Sequence, residues 1–257
     1  MATRTAELNL ILTGASRGLG LALAEAALAS GWRVFACARS ELPASLAEMA
    51  AAGRLAWSRC DLADPASALV WLRQVLAGMP DKGPLHLLLN AGVLEPLGAM
   101  PSLPVEAVQQ HLQINLGTPM LLGAAFAGHC AEQQREGRLL AISSGAARRP
   151  APHWGAYCAS KAGLDMAIRV LNAEAAASGE GGRFKAVSLA PGVVDTEMQH
   201  RIRQQSFPGV QRYLDLHAEG RLTSSQGAAA AIFDYLQTAD FGAVEIDDIR
   251  HYPAGVA

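Results

Sequence analysis

Short unbroken apolar runs alternate along this chain with longer stretches in which apolar residues recur at helical spacing. The runs lie at 8–13, 33–38, 55–59, 85–90, 138–143, 185–190 and 244–246. Such a run reads as a strand covered on both faces, and its alternation with helices reads as a mainly parallel sheet between two helical layers. The expected fold class is α/β, a doubly wound parallel sheet of about seven strands with helices on both faces. No Pro/Ser linker, repeat or low-complexity tract divides residues 1–257, so one domain is expected. Residues 112–131 hold no Asp, Glu, Lys or Arg. Gln113, Asn115, Pro119 and His129 would be costly in lipid, which makes this stretch a buried or subunit-facing helix rather than a membrane span.

Composition narrows the partners. A net charge of −2 offers no electrostatic footprint for nucleic acid or an anionic membrane, and Arg148-Arg149 is too short to change that. The N-terminus lacks a basic region followed by an apolar run and a cleavage site, so a cytoplasmic protein is expected. Cys37, Cys60, Cys130 and Cys158 show no metal or C-x-x-C spacing and read as small buried hydrophobes, with Cys158 adjoining Tyr157. The seven histidines form no i, i+4 ligand pair, so no metal is expected.

Two constellations carry chemistry. The first, Thr13-Gly-Ala-Ser-Arg-Gly-Leu-Gly20, lies between an apolar run and a helical pattern. Gly14, Gly18 and Gly20 let a backbone approach phosphates, and the following helix offers free N–H groups and a partial positive charge. The second is Tyr157-Cys-Ala-Ser-Lys161, with Ser144 thirteen residues earlier (157 − 144 = 13). Positions i and i+4 share a helix face, so the Lys161 ammonium is expected to pull the Tyr157 phenol below its usual pKa of about 10.

With these residues in place, the chain resembles the short-chain dehydrogenase/reductase family from Leu8 to about Tyr252. Asp61-Leu62, Asn90-Ala91-Gly92, Asn115 and Pro191-Gly192-Val-Val194-Asp-Thr196 match its pattern in order. The resemblance implies a Rossmann-type fold and an NAD(P) cofactor. It implies that Tyr157 passes a proton to a carbonyl oxygen, that Ser144 bonds the same oxygen, and that Lys161 also holds the nicotinamide ribose. Asn115 is implied to position a water leading to Lys161, although a core hydrogen-bonding role stays open. Ser16, Arg17 and Leu19 belong to the cofactor turn, Val194 would meet the carboxamide, and Thr196 a phosphate or the carboxamide.

Ala38 stands where the family's NAD enzymes place an acid, and Arg39 follows it, with Arg17 nearby. Guanidinium groups suit a 2′-phosphate, so NADPH is the expected cofactor. Residues 197–222 correspond to the family's variable lid. Leu94, Trp154, Phe207 and Tyr213 are expected to line a pocket for a small-molecule carbonyl substrate, with a core role equally open for Trp154. The segment ending at Gln199 and the ending at 245–252 resemble the sepiapterin reductase and benzil reductase branch. That implies reduction of a vicinal dicarbonyl or a pterin side-chain ketone. An alcohol dehydrogenase working oxidatively and a non-catalytic nucleotide sensor remain open at this point. The helices near 104–135 and 155–178 imply a homodimer or homotetramer, with Met166, Ile168 and Leu171 among the apolar residues of the second.

Overall fold

The computed structural model describes residues 8–80 and 83–252; 1–7, 81–82 and 253–257 of the expected domain lie outside the described residues. The first half comprises β1 (Asn9–Thr13), α1 (Gly18–Ala29), β2 (Arg33–Ala38), α2 (Ala47–Ala51), β3 (Leu55–Arg59), α3 (Pro65–Ala77) and β4 (Leu85–Leu89). Then α4 (Val105–Leu112) passes through a π-turn at Gln113–Gly117 into α5 (Thr118–Glu132), followed by β5 (Gly137–Ile142), α6 (Gly155–Ala177) and β6 (Phe184–Ala190). The remainder is β7 (Val194–Asp195), α7 (Glu197–Arg203), α8 (Val210–Ala218), β8 (Thr223–Ser224), α9 (Ser225–Gln237) and β9 (Ile246–Asp248).

Seven strands form one parallel sheet in the order β3-β2-β1-β4-β5-β6-β9. Strand alternation sorts the core into two layers. Leu10, Leu12, Leu140, Ile142, Val187 and Leu189 point toward α1 and α9, whereas Ile11, Leu87, Leu139, Ala141 and Ala186 point toward α3, α5 and α6. Both faces are covered, which is why the strands read as unbroken apolar runs. The winding direction reverses between β1 and β4, and in open α/β sheets a ligand crevice forms beyond the carboxyl ends at that switch.

One strand differs from its sequence reading. The last strand is Ile246–Asp248, not 244–246: Val244 is 47% exposed, while Asp247 and Asp248 pair with Leu189 and Ala190. Consecutive aspartates do not look like a core strand. They can be buried here because Asp247 accepts bonds from the Tyr235 and Tyr252 hydroxyls and Asp248 takes the Arg250 guanidinium. The expected subunit-facing residues of α6 are also redistributed. Ile168 and Leu171 are buried in the core, and the exposed apolar residues on this side are Met166 and Val170 with Met120, Leu121 and Val70. The uncharged stretch 112–131 buries Leu122, Phe126 and Cys130, and among the described residues no helix is long and apolar enough to cross a membrane.

Candidate active site

The glycine turn sits at the carboxyl end of β1 and packs directly on the β4 loop. Gly14 and Gly18 adopt φ of +73° and +54°, a left-handed region that favours glycine. A Cβ on Gly14 would stand 2.7 Å from the Ala91 Cα, and one on Gly20 would collide with Gly14 O and Asn90 Nδ2. Asn90 fixes this contact by donating from Nδ2 to Gly14 O and Thr13 O. At the start of α1 no side chain caps the helix, and no acid lies in its first turn. Its N–H groups and partial positive charge are therefore available to a phosphate.

This turn opens on a cavity of about 1050 Å³. Gly14, Ser16, Arg17, Gly18, Leu19 and Gly20 line its first wall. Asp61, Leu62, Asn90, Ala91 and Gly92 form the next, and Pro191, Gly192, Val194 and Thr196 close over from β6. All the cofactor residues expected from sequence thus share one space. Ala38 and Arg39 line the end beyond β2, and Arg17 lines the same cavity. Ala38 is buried at the strand end and has no polar atom for a ribose hydroxyl. Arg17 and Arg39 are exposed, and neither enters an ion pair among the described residues. A cradle that leaves no room for a Cβ, an uncapped helix start and two unpaired guanidiniums fit the phosphates of an NAD(P) dinucleotide.

At the other end Ser144, Tyr157 and Lys161 converge. Ser144 is extended at the end of β5, and its Oγ accepts from Ala146 N at 3.1 Å. Ser143 turns to the opposite side, donating to Asp165 Oδ1 deep beneath the site, as strand alternation requires. Tyr157 and Lys161 follow one another on a buried face of α6. The ionisation pattern corrects the sequence expectation. Burial pushes the Tyr157 phenol up to about 12, offset in part by its hydrogen bond to Ser144. Burial also pulls the Lys161 ammonium down to about 8, against the attraction of Asp165. Lys161 does not hold the phenol down here, because its Nζ donates to Ile142 O at 2.8 Å and lies 5.9 Å from the tyrosine ring centre. For each group, leaving water is the largest influence.

Asn115 lies in the π-turn between α4 and α5 rather than in regular helix, and its side chain is wholly buried without reaching the cavity. Its Oδ1 accepts from Val93 N and its Nδ2 donates to Val93 O, both at 2.8 Å. The amide thus clamps the backbone just after Gly92. His111, one turn earlier, was not singled out by the sequence reading. Its Nδ1 lies 2.7 Å from Glu95 O, a group that only accepts, so Nδ1 carries the proton and Nε2 accepts from Asn115 Nδ2. Burial lowers its pKa, which keeps the ring neutral in this role. The i−4 spacing from Asn115 was the one available signal.

Leu94, Trp154 and Tyr213 line the cavity beside Tyr157, as expected. Phe207 does not: it packs behind Trp154 and Tyr213, with ring centres 5.6 and 6.1 Å away, and braces the wall from outside. Trp154 is both pocket and core, because its edge meets Tyr157 while Tyr213 from α8 stacks on its face at 11°. Gln199 also lines the cavity and was missed as a site residue. Its position three residues after Thr196, on the same helix face, was the signal.

A family model described as short chain dehydrogenase matches residues 9–206. A benzil reductase ((S)-benzoin forming) of Bacillus cereus is 33% identical over 243 residues, covering 92% of this chain and 96% of that protein. Sepiapterin reductase of Meriones unguiculatus is 31% identical over 246 residues, covering 90% and 92%. Among solved structures, the KRED1-Pglu enzyme superposes with a TM-score of 0.77 at 31% identity, covering 89% of this chain and 94% of that one.

Proposed function

The chain belongs to the short-chain dehydrogenase family, and we propose that within it the protein is an NADPH-dependent carbonyl reductase whose preferred substrate is a vicinal dicarbonyl. The observation that carries this reading is the single cavity that has Ser144, Tyr157 and Lys161 at one end and Ala38 with Arg39 at the other. The benzil and sepiapterin reductases among its relatives act on ketones that fit that reading. We read residues 8–252 as one nucleotide-binding domain, with 197–222 as the substrate lid.

When bound, the nicotinamide supplies the hydride. The glycine turn and the α1 N-terminus would hold the pyrophosphate, Arg39 and Arg17 the 2′-phosphate, and Val194 and Thr196 the nicotinamide end. Tyr157 donates its proton to the carbonyl oxygen, and its high pKa keeps that proton in place at neutral pH. Ser144 hydrogen-bonds the same oxygen and stabilises the charge that develops on it. Lys161 would hold the nicotinamide ribose hydroxyls. Asn115 acts through Val93, fixing the loop that carries Gly92.

A panel of benzil, diacetyl, sepiapterin and an acyl-thioester ketone, each offered with NADPH, tests the reading. Benzil or diacetyl is expected to be turned over fastest. NADPH consumption with none of the four would overturn the reductase assignment.

Assembly is part of the proposal. Met120, Leu121, Met166 and Val170 expose apolar area on α5 and α6. Such a patch is costly in water and suits a second copy. Light scattering at micromolar protein is expected to give at least a dimer. A monomer mass would refute it.

A further inference from the structure

Two buried polar groups on the wall of this cavity have no hydrogen-bond partner among the described residues. The Gln199 side chain is 3% exposed, and both its Oε1 and Nε2 are unpaired. Trp154 is 4% exposed, and its indole Nε1 is unpaired. Buried polar groups in native proteins are almost always bonded, so an amide left with both ends free is costly where it stands. A Leu or Met would fill the same space at no such cost.

Their placement says what they face. Thr196, Gln199 and Ile202 follow one another at i, i+3 on one side of α7 and its cap, and Thr196 Oγ1 accepts from Gln199 N. Thr196 borders the glycine turn, since a Cβ on Gly18 would lie 3.3 Å from its Cγ2. Ile202, at the far end, packs in the apolar cluster of Trp154, Tyr157 and Leu94. Gln199 therefore lies between the cofactor cradle and the aromatic substrate wall. The Trp154 ring stands nearly perpendicular to Tyr157, with centres 5.6 Å apart, so the indole lies beside the residue that carries the proton donor. Tyr213 stacks on the Trp154 face and leaves the in-plane indole edge, which carries Nε1, uncovered by that contact.

We propose that Gln199 and the Trp154 indole N–H form a subsite for the second oxygen of a ketone whose neighbouring carbon is also oxygenated. The inference rests on the carbonyl reductase reading and gives its substrate class a structural cause. Two donors, Nε2 of Gln199 and Nε1 of Trp154, meet the second oxygen of a dicarbonyl while the first lies against Tyr157 and Ser144. The Gln199 Oε1 gives the same subsite an acceptor, so a vicinal hydroxyketone also satisfies it. A simple ketone leaves these groups unpaired, and sites built to bond a polar group discriminate strongly against analogues that lack it.

The test compares benzil with deoxybenzoin, which lacks the second oxygen, in wild type, Gln199→Met and Trp154→Phe. Alongside it, calorimetry measures binding of oxanilide, a non-reacting vicinal dicarbonyl, against benzanilide, with NADP present. In Gln199→Met, kcat/KM for benzil is expected to fall about tenfold more than that for deoxybenzoin, with oxanilide affinity falling by a similar factor. Trp154→Phe is expected to shift both ratios the same way. Parallel losses for both ketones would overturn the subsite, as would unchanged ratios. An NADPH Kd raised tenfold with both ketones impaired would assign the amide to the cofactor instead, and overturn it too. Wild type that reduces neither ketone yet prefers oxanilide would refute the reductase reading and keep the subsite; no preference would refute both. Should Gln199→Met fail to fold, Trp154→Phe and the wild-type oxanilide preference decide.

Discussion

Replacing Tyr157 by Phe is expected to lower kcat/KM for ketone reduction by about a thousandfold, the middle of the range for removing a positioned general acid. NADPH affinity should stay within about twofold of wild type, a shift too small to count as a lost hydrogen bond. The substitution is mild for the fold. The ring keeps its edge contact with Trp154 and its place in the buried cluster, and only the hydroxyl that meets Ser144 goes. Stopped-flow turnover together with cofactor titration separates chemistry from binding. Turnover within tenfold of wild type would remove Tyr157 from the proton-donor role. A biological effect of the protein that survived the substitution would favour nucleotide sensing over catalysis.

The same residue pair sets the pH profile. Tyr157 starts protonated, and its pKa of about 12 leaves it so across the working range. Lys161, brought down to about 8, is the group that changes charge there. As pH rises through 8 the ammonium is lost, the site loses the cation that would hold the cofactor ribose, and reduction slows. The acid side should be flat until other groups titrate. In the oxidative direction the requirement reverses, because the phenolate must then take a proton. An alkaline limb absent from reduction, or one that stays put in Lys161→Arg, would detach Lys161 from the profile.

Much of this site was legible in sequence because it depends on spacing. The glycines, Asn90, Ser144, Tyr157 and Lys161 are each placed by a strand end or a helix turn, and local periodicity fixes such positions. Ser144 is singled out by its gap of thirteen residues to Tyr157, and strand alternation turns the neighbouring Ser143 to the other side, where it bonds Asp165. What sequence could not give are outcomes of tertiary competition. Burial overrides the ion-pair logic at Tyr157, since desolvation depends on everything packed around it. Asp247 sits in a strand because Tyr235 and Tyr252, distant in pattern, bring hydroxyls to it. Phe207 falls behind the wall instead of on it because Tyr213 takes the inner place. Gln199 becomes conspicuous only once its burial and missing partners are known.

Cofactor choice is the second large effect. Arg39→Ala is expected to weaken NADPH about tenfold or more while leaving NADH nearly unchanged, since one charge-assisted bond to phosphate contributes about 1.5–3 kcal/mol and exposure trims it. Arg17→Ala should act in the same direction. Ala38→Asp should do more than either. Placed at the end of β2, the carboxylate would repel a 2′-phosphate and accept from a ribose 2′-OH, so the preference should invert toward NADH. Ala38 lines the cavity at a buried strand end, so the new carboxylate would stand at that end of the cavity. Kd values for both nucleotides by fluorescence titration at low and high salt check the whole set. The Arg39 effect should shrink with salt, because the guanidinium is exposed and screening acts on exposed pairs. Equal wild-type affinity for NADH and NADPH, or an Arg39→Ala protein that loses both alike, would take the 2′-phosphate away from this end of the cavity.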